Sequence, residues 1–198
     1  DIYVEPLTDV IEVDGEVVFY KENITLMMNK PQGYICSTVD EMYMSLLRLL
    51  DKKYSRFDFK IAGRLDWDTE GLVILSTDGR LIHELTSPKK EMYKTYYVKT
   101  GLPIINVDVL KQPIILLDGK NNEYTTKGAK ITKLSDFELL ISITEGKFHQ
   151  VKRMLEYINN EVIYLKRIQI GNLELPPDLE VGEQASLLDV AATDSTEE

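Results

Sequence analysis

The run Ala62 to Gly79, AGRLDWDTEGLVILSTDG, constrains the fold more than any other stretch of this chain. Leu72 to Leu75 is a continuous apolar run, which predicts a buried strand. Asp78-Gly79 after it supplies a turn or helix N-cap, and Arg80 to Thr86 then reads as a short helix stopped by Pro88. Before the strand, Arg64 and Asp66 sit two residues apart on a turn. An extended backbone would project both to one side, with Leu65 between them pointing into the core. The run therefore demands a charged turn on the rim of a hydrophobic core. An ionised aspartate held beside a cation on such a turn can serve as a nucleophile or an acid/base group.

The remaining elements are mostly strands. Residues 2–20 read as two strand-like pieces around a Val-Asp-Gly-Glu turn at 13–16. Ile24 to Asn29 is a short strand, followed by a Lys30-Pro31-Gln32-Gly33 turn. Met42 to Leu50 carries apolar residues at helical spacing and is expected as a helix. Thr95 to Val98 is β-branched and aromatic, hence a strand. Residues 101–145 hold short strands separated by turns at Asp118-Gly119, Asn121-Asn122 and Lys127-Gly128. Phe148 to Ile158 reads as a second helix, with Val151, Met154, Leu155 and Ile158 on one stripe. Val162 to Leu165 and Arg167 to Ile170 read as strand. Strands outnumber helices without strict alternation, which predicts an α+β fold with a mixed, mostly antiparallel central sheet flanked by helices.

The net charge of −10 argues against a nucleic-acid partner until its distribution is considered. Residues 1–16 hold six acids and no base, and residues 168–198 hold eight acids and no base. The body between them is mildly basic and can present a basic face to phosphate. The single Cys36 forms no internal disulfide, which suits a reducing cytoplasm. No apolar run approaches the roughly 20 residues that span a bilayer.

Three clusters could carry chemistry. Asp66 alone would be read as a turn or cap residue, and Arg64 beside it raises the interest of the pair. Asp66 with Asp68 also invites a two-carboxylate glycosidase reading, a weak one because nothing requires the two carboxyls to flank one bond. Asp68 with Thr69 is expected to make turn hydrogen bonds. The second cluster is Glu145 to Leu155, EGKFHQVKRML, where Lys147, His149, Lys152 and Arg153 lead into a helix. They could meet phosphates or steady a carboxylate, or simply form a solvated basic face with Lys152 paired to Glu156. His149 gives no metal signal, since His83 is far away in sequence and no Cys/His spacing is present. The third cluster interleaves Lys89, Lys90, Lys94 and Lys99 with Tyr96 and Tyr97. That suits RNA, although strand tyrosines packing one face would look the same. Met28 to Tyr34 matches no Walker or dinucleotide pattern.

Four segments, in order, resemble the ribosomal RNA pseudouridine synthases of the RsuA/RluB/RluE/RluF type. MMNKPQGYICST (27–38) is similar to their KPxG motif, and GRLDWDTEGLVILSTDG (63–79) to their catalytic motif. KTYYV (94–98) is similar to their KTYxV strand, and EGKFHQVKRML (145–155) to their C-terminal motif. The resemblance implies three catalytic residues: Asp66 as the catalytic aspartate, Tyr96, which stacks on the target base and can relay a proton, and Lys152, which pairs with Asp66. It implies that Arg64 holds the flipped nucleotide and that Ile143 lines the uracil pocket. Lys30, Lys147, His149, Gln150 and Arg153 are carried as substrate-binding residues; Asp68 is given no role. It further implies residues 1–18 as the remnant of an S4-type RNA-binding domain and linker. Residues 19–190 follow as the catalytic domain, and 191–198 as an acidic tail.

The implied reaction breaks the N–C glycosidic bond of a uridine, turns the uracil, and joins C5 to C1′. It requires no redox partner, metal or cofactor. The KPQGYICST stretch points to small-subunit 16S ribosomal RNA. A monomer acting in the cytoplasm, without a membrane partner, completes the expectation. The rival readings are a non-catalytic ribosome-assembly factor on the same fold, a synthase acting on 23S RNA, and a carbohydrate hydrolase.

Overall fold

The computed structural model describes residues 10–13, 16–19, 23–87 and 89–187. Pro88, the start of the expected S4-type remnant and the acidic tail 191–198 lie outside the described residues. The first two strands, β1 (Val10–Val13) and β2 (Glu16–Phe19), form an antiparallel hairpin, as the sequence predicts. Then come β3 (Thr25–Lys30), β4 (Tyr34–Ile35), β5 (Met44–Ser45), β6 (Lys60–Ala62) and β7 (Glu70–Ser76). Helix α1 (Gly79–Thr86) precedes β8 (Lys94–Thr100), β9 (Ile115–Leu117), β10 (Glu123–Thr125), β11 (Lys130–Lys133) and β12 (Glu138–Ile143). Helix α2 (Gln150–Tyr157) precedes β13 (Val162–Ile170), β14 (Leu173–Glu174) and β15 (Gln184–Ser186).

The central sheet runs β11-β12-β8-β13-β7-β3-β15. Among the described residues its only parallel pair is β13 with β7, at the middle of the sheet, so the mixed, mostly antiparallel expectation holds. The pattern of each strand explains its place. On β7, Val73 and Leu75 enter one core, while Leu72 and Ile74 enter another on the opposite face. The larger core is closed by Val151, Met154 and Leu155 of α2. The smaller is packed by Ile82 and Leu85 of α1, so the two helices cover opposite faces. Asp78 caps α1 by accepting a hydrogen bond from the Arg80 amide at 3.0 Å. Each fully buried aliphatic side chain contributes about 1.5–3 kcal/mol. That reserve lets β3 and β13 also bury two cations, Lys30 and Arg167.

The helix expected over Met42–Leu50 does not form. Met44 and Ser45 instead pair in parallel with Tyr34 and Ile35, and only Leu46–Leu49 winds into a 3-10 turn. The physical reason is local polar competition. Asp40 takes the Ser45 amide at 2.8 Å and the Arg48 Nε at 2.8 Å, while the Ser45 hydroxyl caps the Leu47 amide at 3.1 Å.

β8 shows what alternation does to an apparent cluster. Tyr96 and Val98 enter the larger core, whereas Tyr97 and Lys99 emerge on the other face. There the Tyr97 hydroxyl donates to Glu138, its ring meets Tyr164 edge-on at 6.0 Å, and Lys99 lies 5.6 Å from the Tyr164 ring centre. Partial burial, reinforced by the bond to Glu138, pushes the Tyr97 phenol up to about 12. The lysine–tyrosine strand is therefore two half-clusters back to back.

Candidate active site

The loop Gly63–Thr69 joins β6 to β7 at one rim of the sheet, and its backbone is held at several points. The Gly63 carbonyl accepts from the Arg167 guanidinium, which also donates through Nε to the Leu72 carbonyl at 2.9 Å. The Leu65 amide donates to Cys36 Sγ at 3.3 Å, and burial pushes that thiol up. The Asp66 carbonyl accepts from the Thr69 amide at 3.1 Å. The Trp67 carbonyl accepts from the Gly33 amide at 2.7 Å and from Lys30 Nζ at 3.4 Å. Leu65 is buried in the larger core, so the side chains on either side of it turn outward.

The carboxylate of Asp66 meets the N-terminal turn of α2. His149 Nε2 lies 3.2 Å and Lys152 Nζ 3.4 Å from Asp66 Oδ2. Lys152 sits closer still to Asp68, at 2.8 and 3.0 Å from its two oxygens. One ammonium thus bridges two carboxylates, and Asp68 is a site residue that the sequence reading passed over in favour of turn bonding. The Asp-x-Asp spacing was the available signal. Lys152 makes no ion pair with Glu156. His149 adopts a left-handed backbone, φ 51°, a region that few non-glycine residues occupy. Its ring stacks on Phe148 with centroids 3.7 Å apart.

A cavity of about 280 Å³ opens on this loop, lined by Asp66 with Arg64, Leu65, Trp67, His149, Ile35, Cys36 and Glu41. Arg64 is exposed on its wall. Tyr96 and Ile143 are buried in the larger core with Leu65, on neighbouring strands and the same face, and they do not form part of the cavity lining.

The other expected contact residues have different occupations. Lys30 is fully buried, and its ammonium donates to the carbonyls of Pro31 at 2.8 Å and Trp67 at 3.4 Å. It props the loop from within the fold and is not placed to meet a ligand. Burial lowers its pKa, only partly offset by nearby Cys36, Asp68, Asp66 and Glu70. Arg153 is likewise occupied, bonded to the Leu117 and Asp118 carbonyls and lying 5.2 Å from the Phe148 ring. Gln150 is buried, donates to Glu145 at 2.7 Å, and leaves its carbonyl oxygen without a partner among the described residues. Lys147 is exposed, 5.6 Å from the Tyr124 ring. Arg167 entered no sequence cluster, yet it holds the base of the loop. A lone arginine inside an otherwise strand-like run was its only trace.

The mixed sheet presents Asp66 on a braced loop with an ammonium and an imidazole at its carboxylate, an arrangement that suits nucleophilic or acid/base work. The chain belongs to the RNA pseudouridylate synthase family, whose model matches residues 24–157, and it is thereby an isomerase acting on RNA. It is 41% identical over 187 residues to the uncharacterized RNA pseudouridine synthase YtzG of Bacillus subtilis (strain 168), covering 93% of this chain and 78% of that protein. It is 38% identical over 161 residues to ribosomal small subunit pseudouridine synthase A of Escherichia coli (strain K12), covering 81% and 69%. A crystal structure of a pseudouridylate synthase superposes with a TM-score of 0.78 at 34% identity, covering 92% of this chain and 82% of that one. A Cbf5-Nop10-Gar1 complex shares the fold alone, with a TM-score of 0.52 at 15% identity.

Proposed function

We propose that this chain converts one uridine of small-subunit (16S) ribosomal RNA to pseudouridine, in the cytoplasm, as a monomer, with residues 19–190 as its catalytic domain. The observation that carries the reading is Asp66, the carboxylate on the cavity wall with Lys152 and His149 at its oxygen. The small-subunit target rests on the similarity to the Escherichia coli enzyme.

The target base must leave its stack, which costs a few kcal/mol. Arg64 on the cavity wall meets the flipped nucleotide, and exposed Lys147 meets phosphate. Tyr96 and Ile143 sandwich the uracil once the site opens toward the core that they share with Leu65. Asp66 then either attacks C1′ or removes the C2′ proton. Both routes need an ionised carboxylate, and the Lys152 ammonium lies 3.4 Å from it. The N1–C1′ bond breaks and the base turns; C5 then bonds to C1′, displacing the Asp66 carboxylate in the first route, or with the proton returned from Asp66 to C2′ in the second, and the C5 proton leaves while N1 takes one up.

Carbodiimide mapping of pseudouridine tests this in ribosomal RNA from cells lacking the gene, complemented with wild type or Asp66→Asn. We expect one stop in small-subunit RNA that returns only with wild type. The purified Asp66→Asn protein should melt like wild type and still bind RNA, with turnover abolished. Near-normal turnover in that variant, or no gene-dependent stop, overturns the assignment.

A further inference from the structure

Beside the catalytic loop lies a group of exposed apolar side chains that the reaction itself does not use. Trp67 follows Asp66 directly, lines the same cavity, and is 45% exposed. Tyr43 stacks on it, with ring centroids 4.7 Å apart and planes 8° from parallel. Met42 and Met44, which flank Tyr43 in sequence, are 90% and 55% exposed, and Val39 of the same loop is 61% exposed. Single exposed hydrophobes are ordinary; a stacked aromatic pair at the wall of a site, on a loop that exposes further apolar side chains, marks a contact surface. The platform is also rigid. The Trp67 carbonyl is bound by Gly33 and Lys30, and the loop carrying Tyr43 is tied by Asp40 to Ser45 and Arg48. Rings already fixed in place lose little entropy when another ring lands on them.

We propose that the Trp67–Tyr43 stack is a platform for an unpaired nucleobase of the RNA, adjacent in the strand to the uridine being flipped. This rests on the reading that RNA enters at Asp66 and names what the rim beside it recognises. The chemistry favours a base over a phosphate. Arg64 on the same cavity wall is assigned to the flipped nucleotide, Glu41 adds negative charge to that wall, and Arg48 is already committed to Asp40, so what the Trp67–Tyr43 face itself offers is aromatic surface. Every base has a π-face, and stacking it on an aromatic side chain needs no counter-charge. When a uridine leaves the stack, its neighbour loses a stacking partner, and Trp67 supplies a replacement within one residue of the reacting aspartate. The same contact would favour RNA in which that neighbour is unpaired.

Trp67 is the only tryptophan in the chain, so its emission reports on the platform directly. The full-length protein is titrated with a short oligouridylate, with binding read independently from the anisotropy of a dye on the RNA. Stacking requires quenching that saturates together with the anisotropy. It also requires far weaker quenching by an oligomer of equal charge whose riboses carry no bases. Binding without quenching, or equal quenching by the abasic chain, overturns the proposal.

In steady-state pseudouridylation of ribosomal RNA, Trp67→Ala should raise KM about tenfold, the loss of one base–aromatic stack, with the effect falling on KM and not on kcat. Trp67→Phe should restore most of the loss, and Tyr43→Ala should fall between. An unchanged KM in Trp67→Ala overturns the proposal and leaves the apolar rim to a protein partner. Wild-type turnover in the same reactions separates the two readings. Pseudouridine formed without quenching defeats the platform alone, whereas no pseudouridine from any RNA defeats the functional assignment and the platform with it.

Discussion

Two sets of cations grip the same loop, from opposite sides and by different chemistry. On the outer side, Lys152 and His149 reach the side chains of Asp66 and Asp68, partly in solvent. On the inner side, Lys30 and Arg167 are buried and bind only backbone, at the carbonyls of Trp67 and Gly63. The outer pair acts on charge, at the carboxylate we propose to react. The inner pair acts on shape: it sets where the loop backbone runs before any substrate arrives. A carboxylate on an unbraced loop would have to be reoriented at each turnover, and misplacement by about 1 Å can cost on the order of a hundredfold in rate.

The outer side breaks most visibly. Lys152→Met removes the ammonium that bridges both carboxylates and leaves the Asp66 and Asp68 charges without it. We expect turnover to fall by about 10²–10³-fold, the scale for losing one preorganised charge partner, while the melting temperature moves little because Lys152 is not a core residue. Single-turnover kinetics beside a thermal melt checks this. An unchanged rate would remove the side-chain half of the comparison. Asp68→Asn sharpens it: if Lys152 is divided between two anions, removing one should tighten its hold on Asp66 and leave appreciable activity.

The inner side breaks through the backbone. Gly71 pairs with Arg167 where β7 and β13 run parallel, at φ +114°. A Cβ there would fall 2.6 Å from the Arg167 nitrogen and nearer still to its carbonyl oxygen. Gly71→Ala therefore cannot be absorbed by side-chain movement. We expect a loss of about 3 kcal/mol or more in urea unfolding, from strain and clash together, with activity lost in proportion to the unfolded fraction. A variant as stable as wild type would mean that the strand junction does not brace the loop.

The sequence exposed these two sides unequally, for a physical reason. Leu72–Leu75, the α1 cap at Asp78, and the apolar stripe of α2 were legible because each depends on residues close in sequence. So was Asp66, whose motif is contiguous. The partnership of Lys152 with Asp68 spans 84 residues, and local spacing instead offered Glu156 or Thr69 as partners. Lys30 read as a turn lysine facing a ligand because β3 was expected to end before it, whereas the strand runs through Lys30 and buries it. The expected Met42–Leu50 helix failed because helical periodicity in the apolar residues says nothing about Asp40 capturing the Ser45 amide. Tyr96 and Tyr97 are adjacent in sequence and separated by the whole thickness of the sheet.

Lys30 offers the finest test, because its two effects should separate. Its ammonium is buried, and among the described residues it has no carboxylate within ion-pairing distance, only two carbonyls. Burial lowers its pKa below the ordinary value of 10.5. The charged form is therefore a cost to the folded state. That cost is fully present below the lowered native pKa and disappears as pH rises from there through the unfolded value. In that window the unfolded chain binds more protons than the native one, so wild-type stability should climb with pH. Lys30→Met removes the buried charge and leaves the carbonyls of Pro31 and Trp67 without their donor. These terms oppose one another, so we expect a net stability change of no more than about 1 kcal/mol at neutral pH. Relative to the variant, wild type should gain as the pH approaches 10.5. Turnover should nevertheless drop about tenfold, since the Trp67 carbonyl is released and the loop beside Asp66 loosens. Urea unfolding at neutral and alkaline pH, paired with kcat, reads both. A stability difference that does not change with pH would refute the buried charge. Undiminished turnover would show that the Gly33 amide alone is enough to hold the loop.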